Sequence, residues 1–144
     1  GLIIGSDSDD SISLTTLDFT QIDGGAGTDT LVLAGEYLSL DLTTLGLTIG
    51  NIEIFDLGDT GTNSITLDLE RALAVTDKPE DDLRIVGAAG NEVNLIPDAS
   101  GVWANSGQRD MDGLSFDVYH NSGLDSSNTL GDVLVQQGLL VNLA

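Results

Sequence analysis

Residues 24–32, with the sequence GGAGTDTLV, constrain this chain more than any other segment. They satisfy every fixed position of the nonapeptide G-G-x-G-x-D-x-U-x, in which U is a large apolar residue. The glycines give the backbone conformations that a Cβ would forbid, so that carbonyl oxygens can turn toward a cation. Asp29 adds a hard anionic oxygen, and such oxygens suit Ca²⁺ better than a softer metal. Leu31 then turns inward and begins a short strand. The segment therefore predicts a calcium-binding loop followed by a strand.

A second, partial copy of the nonapeptide lies at residues 5–13. It keeps the first glycine, the aspartate in sixth place (Asp10) and the apolar residue in eighth place, while serines replace the other two glycines. Asp10 and Asp29 are 19 residues apart (29 − 10). That interval is roughly one coil of a parallel β-roll, in which equivalent loops stack and share ions between them. We therefore expect the two loops to stack.

We predict that the metal ligands come from these two loops and from the residue before the second one. The predicted set is Gly5, Asp7, Asp9, Asp10, Asp23, Gly24, Gly25, Ala26, Gly27 and Asp29. The placement of the glycines, the aspartates in sixth place and the strand that follows support calcium binding by Asp10, Asp29, Gly25 and Gly27, for which the alternative is two ordinary acidic turns. The alternative for Asp7, Asp9 and Asp23 is an ordinary solvated acidic loop.

Two weaker copies follow, at residues 58–66 and 87–95. In the first of them Asn63 stands where the aspartate would be, and we expect a plain turn with Asn63 in a left-handed conformation. The register of the second copy is open. Calcium binding is therefore predicted for the N-terminal end of the chain and is left open beyond it.

The formal charge of the chain is −20, from 24 acidic residues against four basic ones. No basic patch is available to neutralise phosphates, so we expect no nucleic-acid partner and no anionic membrane partner. Two carboxylates ~4 Å apart repel by about 4 kcal/mol at an effective dielectric near ~20, and a bound Ca²⁺ turns that repulsion into attraction. We therefore expect the metal-free chain to be loose in its first third. The chain has no cysteine, which excludes disulfides and thiolate zinc sites.

Short strands dominate the predicted secondary structure. Apolar residues and their alternation with polar ones predict strands at 30–33, 38–42, 51–55, 64–69 and 83–86. We also expect a short helix at 69–75, a solvated turn at 77–82 and a hairpin turn at Asp112 and Gly113. The apolar runs are of strand length and are interrupted by polar residues, so we expect no direct membrane insertion.

The C-terminal stretch changes character. Ser127 or Asn128 is expected to cap a helix that runs through Gln137, and residues 139–144 form an apolar, strand-like tail. The predicted fold is all-β. Residues 1–100 form a parallel β-roll or β-solenoid of short strands with calcium-binding glycine-rich loops, and residues 101–144 form a β-rich C-terminal region; the chain carries one or two short helices.

The residues do not indicate an enzyme. His120 is the only histidine, which excludes a multi-histidine metal site, and no nucleophile motif accompanies it. We expect it to be a surface or half-buried residue at the end of a strand. Trp103 and Phe116 are expected in the core, and the alternative for Trp103 is to stack on a sugar.

Residues 22–33 (IDGGAGTDTLVL) resemble the calcium-binding repeat of RTX proteins. Residues 40–43, 51–57 and 61–67 resemble the C-terminal region of large RTX adhesins, and so do residues 118–121 followed by 127–135. These adhesins are very long bacterial surface proteins, including biofilm and ice-binding members. The resemblance covers nearly the whole chain.

The resemblance implies a calcium-binding, non-enzymatic module at the C-terminus of an exported bacterial adhesin. Ca²⁺ would be its cofactor, and a type I secretion ABC transporter would read the uncleaved C-terminal tail. The β-roll would stay unfolded in the calcium-poor cytosol and fold outside the cell. Because the sequence begins at Gly1 without a methionine, we expect the rest of the adhesin to precede it. We also expect a monomer, secreted or held at the cell surface.

Two alternative functions come from the same residues. The first is a carbohydrate- or surface-binding module that uses the strand-rich face around Trp103 and Tyr119. The second is an auxiliary module of a secreted RTX enzyme, such as a protease or a polysaccharide-modifying enzyme.

Overall fold

The structure, a computed structural model, describes residues 1–45, 48–76, 82–99, 101–124 and 132–143. The fold is all-β, as predicted, with two short helices within these residues. The strands are β1 (Leu2–Ile4), β2 (Ser11–Leu14), β3 (Gln21–Asp23), β4 (Thr30–Leu33), β5 (Ser39–Asp41), β6 (Ile49–Gly50), β7 (Ile54–Asp56), β8 (Ser64–Leu67), β9 (Leu83–Val86), β10 (Glu92–Leu95), β11 (Trp103–Met111), β12 (Leu114–Asn121), β13 (Val133–Gln136) and β14 (Leu140–Asn142). The helices are α1 (Leu42–Leu45) and α2 (Leu69–Ala74).

From β3 to β8, consecutive strands lie in three different sheets, and the order of the sheets repeats along the chain. Their strand orders are β1-β3-β6, β2-β4-β7-β9-β13-β12-β11 and β5-β8-β10-β14. β3, β4 and β5 each lie in a different sheet, and β6, β7 and β8 lie in the same three sheets, one strand further along. We call each such circuit a pass; β1–β2, β3–β5, β6–β8, β9–β10 and β13–β14 belong to successive passes. Because equivalent strands run in the same direction, they pair in parallel, as β1 does with β3 and β2 with β4.

The largest sheet is mixed. β11 and β12 form an antiparallel hairpin, and β12 also pairs antiparallel with β13, whereas β13 pairs in parallel with β9. Asp112 and Gly113 connect the hairpin with φ angles of 53° and 79°, the left-handed conformations that a type I′ turn requires. The predicted hairpin is confirmed.

The core is formed by apolar side chains from all three sheets, stacked in register. Leu31, Phe55 and Ile85 are successive partners in the largest sheet, and each is at most 1% exposed. A matching row in the β5-β8-β10-β14 sheet is equally buried and consists of Leu40, Ile65 and Val93. Since burial of one such side chain is worth ~1.5–3 kcal/mol, each pass adds to the stability of the pass before it.

The predicted helix at 69–75 is confirmed as α2. Asp68 adopts an extended conformation before it and accepts a hydrogen bond from the Arg71 backbone N–H at 2.9 Å. This N-cap satisfies one of the four backbone donors that lack partners at a helix start. Leu69 and Ala72 are buried, so the helix packs one face against the core.

The predicted helix ending at Gln137 is wrong where the structure describes it, because residues 133–136 form strand β13. Val133 and Val135 are fully buried and pair with Leu83 and Ile85 of β9. Branched side chains favour a pleated, buried surface, and this long-range pairing outweighs the local helical spacing. The remaining part of that prediction, at 125–131, lies outside the described residues, as do residues 77–81 of the predicted turn.

The strand-like tail is confirmed for Leu140–Asn142, which pair in parallel with β10. β13 and β14 thus extend two of the sheets that the preceding passes build. The boundary proposed near residue 100 stays a prediction.

Candidate calcium site

Loops 5–10 and 24–29, here called the acidic stack, occupy equivalent places in the first two passes. Each connects a strand of the β1-β3-β6 sheet to a strand of the largest sheet. Ile4 pairs with Asp23 before the loops, and Ser11 pairs with Thr30 after them, so the two loops have the same length and the same register. The 19-residue interval therefore corresponds to one full pass, and the predicted stacking of the two loops is confirmed.

A carboxylate ladder runs through the acidic stack. The Asp10 backbone N–H donates to Asp29 Oδ1 at 2.7 Å, and the Asp29 N–H donates to Glu53 Oε1 at 2.9 Å. Asp29 is fully buried and Glu53 is 2% exposed. Each side chain thus satisfies a backbone donor of the pass before it, which fixes the spacing of the loops.

Glu53 ends the acidic stack. Between Gly50 and Ile54 the third pass has three residues where the second pass has six, as the pairing of β6 with β3 and of β7 with β4 shows. The longer glutamate side chain spans this shorter turn, and its Oε2 accepts a hydrogen bond from Thr76 Oγ1 at 2.8 Å. Glu53 is absent from the predicted site residues. The alternation of apolar and polar residues at 51–55 predicts a strand, and a polar residue in such a strand is expected on its exposed face.

The glycines of the second loop are required for two different physical reasons. Gly25 and Gly27 have φ angles of 81° and 97°, in the left-handed region that favours glycine. Gly24 has no such φ, but a Cβ on it would overlap the carbonyl oxygen of Asn51. Gly5 is restricted in the same way by the carbonyl of Gly24. Ala26, at a variable position of the nonapeptide, is exposed.

The other predicted acidic ligands differ in how they contact the stack. Asp9 Oδ1 accepts a hydrogen bond from the Thr28 backbone N–H at 2.8 Å, which joins the first loop to the second. Asp23 Oδ1 accepts hydrogen bonds from Asn51 Nδ2 at 2.7 Å and from the Gly25 N–H at 2.9 Å. The Asn51 bond, followed by the Gly25 bond, lowers the pKa of Asp23. Asp7 is exposed.

Within the first loop, Asp10 also closes a tight turn. Its Oδ2 accepts a hydrogen bond from the Ser6 backbone N–H at 2.5 Å, and the Ser6 hydroxyl lies 3.1 Å from both carboxylate oxygens. Ser6 therefore stands where the nonapeptide has a glycine and gives the loop a side-chain hydrogen bond instead.

The oxygens of the acidic stack are of the type that Ca²⁺ binds. Carboxylates from both loops lie beside backbone carbonyls, and the carbonyl oxygens of Ser6 and Ser8 face Gly25 and Gly27 of the next loop. Among the described residues, no three His, Asp or Glu side chains converge so as to hold a metal ion by themselves. A bound Ca²⁺ would therefore combine carboxylate with carbonyl oxygens, which is its usual coordination in proteins.

Loops 58–63 and 87–91, here called the amide stack, connect the largest sheet to the β5-β8-β10-β14 sheet. Asn63 and Asn91 are 1% and 0% exposed. Asn63 Oδ1 accepts a hydrogen bond from the Leu38 N–H at 2.8 Å, and Asn91 Oδ1 accepts one from the Asn63 N–H at 2.9 Å. The expectation of a left-handed conformation for Asn63 is wrong: the positive-φ residues other than glycine in the described chain are Tyr37, Asn51 and Asp112.

The residues considered for catalysis or sugar binding are held in other contacts. His120 is half-buried in β12, with Nδ1 2.6 Å from Asp132 Oδ1 and Nε2 3.3 Å from the Leu124 carbonyl oxygen. Burial raises the pKa of Asp132, and the hydrogen bond from His120 opposes that effect. Trp103 is 5% exposed and donates to the Ile96 carbonyl at 3.1 Å, while Tyr119 is 7% exposed. Neither ring offers a face for stacking on a sugar.

No protein-family model matches the chain, and comparison with curated proteins and with solved structures gives no significant match. Within the described residues, none of the helices is both long enough and apolar enough to span a bilayer.

Proposed function

We propose that this chain is a non-enzymatic, calcium-binding module of an exported bacterial adhesin of the RTX type. The observation that carries the proposal is the acidic stack: two glycine–aspartate loops of equal length, in register and one pass apart. The order in which the passes visit the three sheets supports the finer description of the fold as a β-solenoid or β-roll, with an antiparallel hairpin added near its C-terminus.

In this proposal Ca²⁺ has a structural role, because it compensates the negative charge of buried carboxylates. Asp29 and Glu53 are buried and joined by a hydrogen bond, in a chain whose formal charge is −20. Burying a carboxylate is costly unless hydrogen bonds or an opposite charge compensate it. A Ca²⁺ held by the first two loops supplies that charge, and its binding free energy then becomes free energy of folding.

The location follows from the calcium dependence. Millimolar calcium outside the cell occupies sites whose dissociation constants are ~10⁻⁴ to 10⁻³ M, whereas the cytosol leaves them empty. The acidic stack and the strands that flank it would therefore fold after export, and the C-terminal tail at 124–144 would serve as the signal that a type I ABC transporter recognises.

The test is circular dichroism and thermal unfolding under stepwise calcium addition, followed by chelation. We expect calcium to increase the β signal and to raise the melting temperature by mass action. Asp29→Ala should reduce that calcium response, because it removes a buried carboxylate of the ladder. Asp18→Ala is the matched control, since Asp18 is an exposed aspartate in the same part of the chain.

Two results would refute the proposed site. One is an identical melting temperature in calcium and in excess chelator. The other is an equal calcium response in the Asp29→Ala and Asp18→Ala variants. Glycan arrays with the same protein test the carbohydrate-binding alternative, for which burial of Trp103 and Tyr119 leaves no stacking surface at those residues. We expect no glycan binding.

A further inference from the structure

We propose that the amide stack is closed by side-chain amides in place of a metal ion, so that this part of the protein holds its structure without calcium. The contrast with a calcium-dependent acidic stack rests on the proposed function. The closure by Asn63 and Asn91 is a property of their own contacts and can be tested separately.

Asn63 Nδ2 lies where backbone carbonyls converge. It is 2.9 Å from the carbonyl oxygens of Gly35 and Leu57 and 3.4 Å from that of Leu33. These oxygens come from two successive passes. Several carbonyls directed at one point are an environment that a cation satisfies, and here the partly positive NH₂ group satisfies it.

Asn91 repeats the arrangement one pass later. Its Nδ2 donates to the carbonyl oxygens of Gly58 at 2.8 Å and Ala88 at 3.0 Å. The two asparagines therefore form a continuous ladder, in which each Oδ1 accepts a backbone N–H of the preceding pass and each Nδ2 binds carbonyls. All of these groups are neutral, so the ladder leaves no charge to compensate.

Asn63 occupies the same place in its loop as Asp29 does in the second loop. Each is the last residue of a six-residue loop (58–63 and 24–29), precedes a strand, and accepts a backbone N–H from the pass before it. The two side chains differ in their second terminal group. Asn63 has an NH₂ group that donates to carbonyls, whereas the ionised carboxylate of Asp29 has no hydrogen to donate. The choice between Asp and Asn at this position therefore determines whether the loop requires a cation.

The two stacks also differ in the number of acidic residues within their loops. The acidic stack contains Asp7, Asp9, Asp10 and Asp29 within its loops, while the amide stack contains Asp59 alone. Asp59 is exposed, and Asp56, just before the loop, accepts the Gly58 N–H at 2.9 Å. Glu92, directly after the second loop, is also exposed. Within the loops a cation would therefore meet one exposed carboxylate, and a hydrogen-bond donor satisfies the carbonyls instead.

Amide hydrogen exchange on the intact chain tests this inference with two matched pairs of backbone N–H groups. In excess chelator, the Asp10 and Asp29 N–H groups of the acidic stack should lose protection by ~100-fold, relative to calcium at ~100 times its dissociation constant. The Leu38 and Asn63 N–H groups of the amide stack should keep theirs. Equal loss of protection at all four would overturn the inference, while the proposed calcium site would stand.

Substitution separates the two proposals further. Asn63→Asp replaces the donor with a carboxylate facing three carbonyls, so protection of the Leu38 N–H in chelator should fall by at least ~10-fold, as a loss of buried hydrogen bonds implies. Added calcium should restore it. Asn94→Asp is the control, because Asn94 is a partly exposed amide on the outer face of β10, bonded to Thr66 Oγ1 at 3.1 Å.

Protection at Leu38 that is unchanged by Asn63→Asp, or that falls equally in Asn94→Asp, would overturn the closing role of the Asn63 amide. If calcium leaves the Asp10 and Asp29 N–H groups unchanged in the wild-type protein, the proposed function fails. In that case the effect of Asn63→Asp in chelator still tests whether the Asn63 amide closes the amide stack.

Discussion

Gly24→Ala is the most direct probe of how closely the passes approach each other, because a matched control lies one pass away. Gly24 and Gly50 are linked by a hydrogen bond from the Gly24 N–H to the Gly50 carbonyl at 3.1 Å, and neither has a positive φ. A Cβ on Gly24 would overlap the Asn51 carbonyl oxygen and would lie 2.9 Å from the Asp29 Cβ. A Cβ on Gly50 would meet no heavy atom within 4 Å.

The two substitutions are expected to differ in their effect on stability. Overpacking against well-ordered neighbours costs ~1–3 kcal/mol, and the overlap at Gly24 involves backbone, which cannot move away as a flexible side chain can. At about 2–4 °C per kcal/mol for a chain of this size, Gly24→Ala should lower the melting temperature by ~2–12 °C. Gly50→Ala should be neutral, or should raise stability by ~0.4–1 kcal/mol, because alanine restricts the unfolded chain.

The assay is thermal unfolding of both variants in saturating calcium, followed by a calcium titration of each. Gly24→Ala should also weaken the calcium response, since its Cβ lies 2.8 Å from Asp29 Oδ2 and pushes the ladder carboxylate aside. Melting temperatures of Gly24→Ala and Gly50→Ala that agree within error would refute the argument from close approach.

Two further predictions concern charge and export. The pKa of Asp23 is lowered by its hydrogen bonds, so its contribution to stability is present above the unfolded pKa near 3.8 and is lost as the pH falls through the lower folded value. The stability difference between wild type and Asp23→Asn, measured by urea unfolding, should therefore shrink as the pH is lowered below about 4, and a difference independent of pH would contradict this. Deleting residues 124–144 should abolish export while cytosolic protein still accumulates, and normal secretion of the truncated protein would show that the tail is only structural.

Local sequence patterns were sufficient for much of the fold. Short strands, helix α2 and the hairpin turn at Asp112 and Gly113 depend on period-two alternation, a capped apolar segment and left-handed turn residues, all of which are visible within a few residues. The segment at 133–136 was misassigned because its apolar residues fit a helix locally. Only its pairing with β9, some 50 residues earlier, makes it a strand.

The candidate site was predictable to the extent that it repeats. The spacing of Asp10 and Asp29 gave the length of one pass, and the stacking of their loops follows from it. Glu53 was not predictable, because it belongs to a shortened turn that breaks the repeat. Asn63 was read as a weakened copy of the aspartate, although it performs the equivalent structural task with an amide.

In the proposed function, the C-terminal tail would serve both as a strand of the folded protein and as the signal for export. In the folded protein, Leu139 is 9% exposed in the core and β14 pairs with β10, which belongs to the sheet that follows the amide stack. A transporter that reads the tail must reach it before this pairing forms. Glu92 and Leu140, the first paired residues, are 48 positions apart (140 − 92), and such long-range parallel pairing forms slowly.

The stability of the amide stack should therefore control how efficiently the protein is exported. If Asn63 lets this part fold without calcium, it favours premature burial of the tail in the cytosol, and slow pairing leaves only a limited time for the transporter. Asn63→Asp weakens the stack in low calcium, so it should be secreted at least as well as the wild type and should fold once it meets extracellular calcium. The ratio of secreted to cytosolic protein measures this. Asn105→Asp is the control, because Asn105 is an exposed amide of β11, which pairs with neither β10 nor β14. A lower secreted fraction for Asn63→Asp, with both variants equally abundant in total, would contradict competition between folding and export.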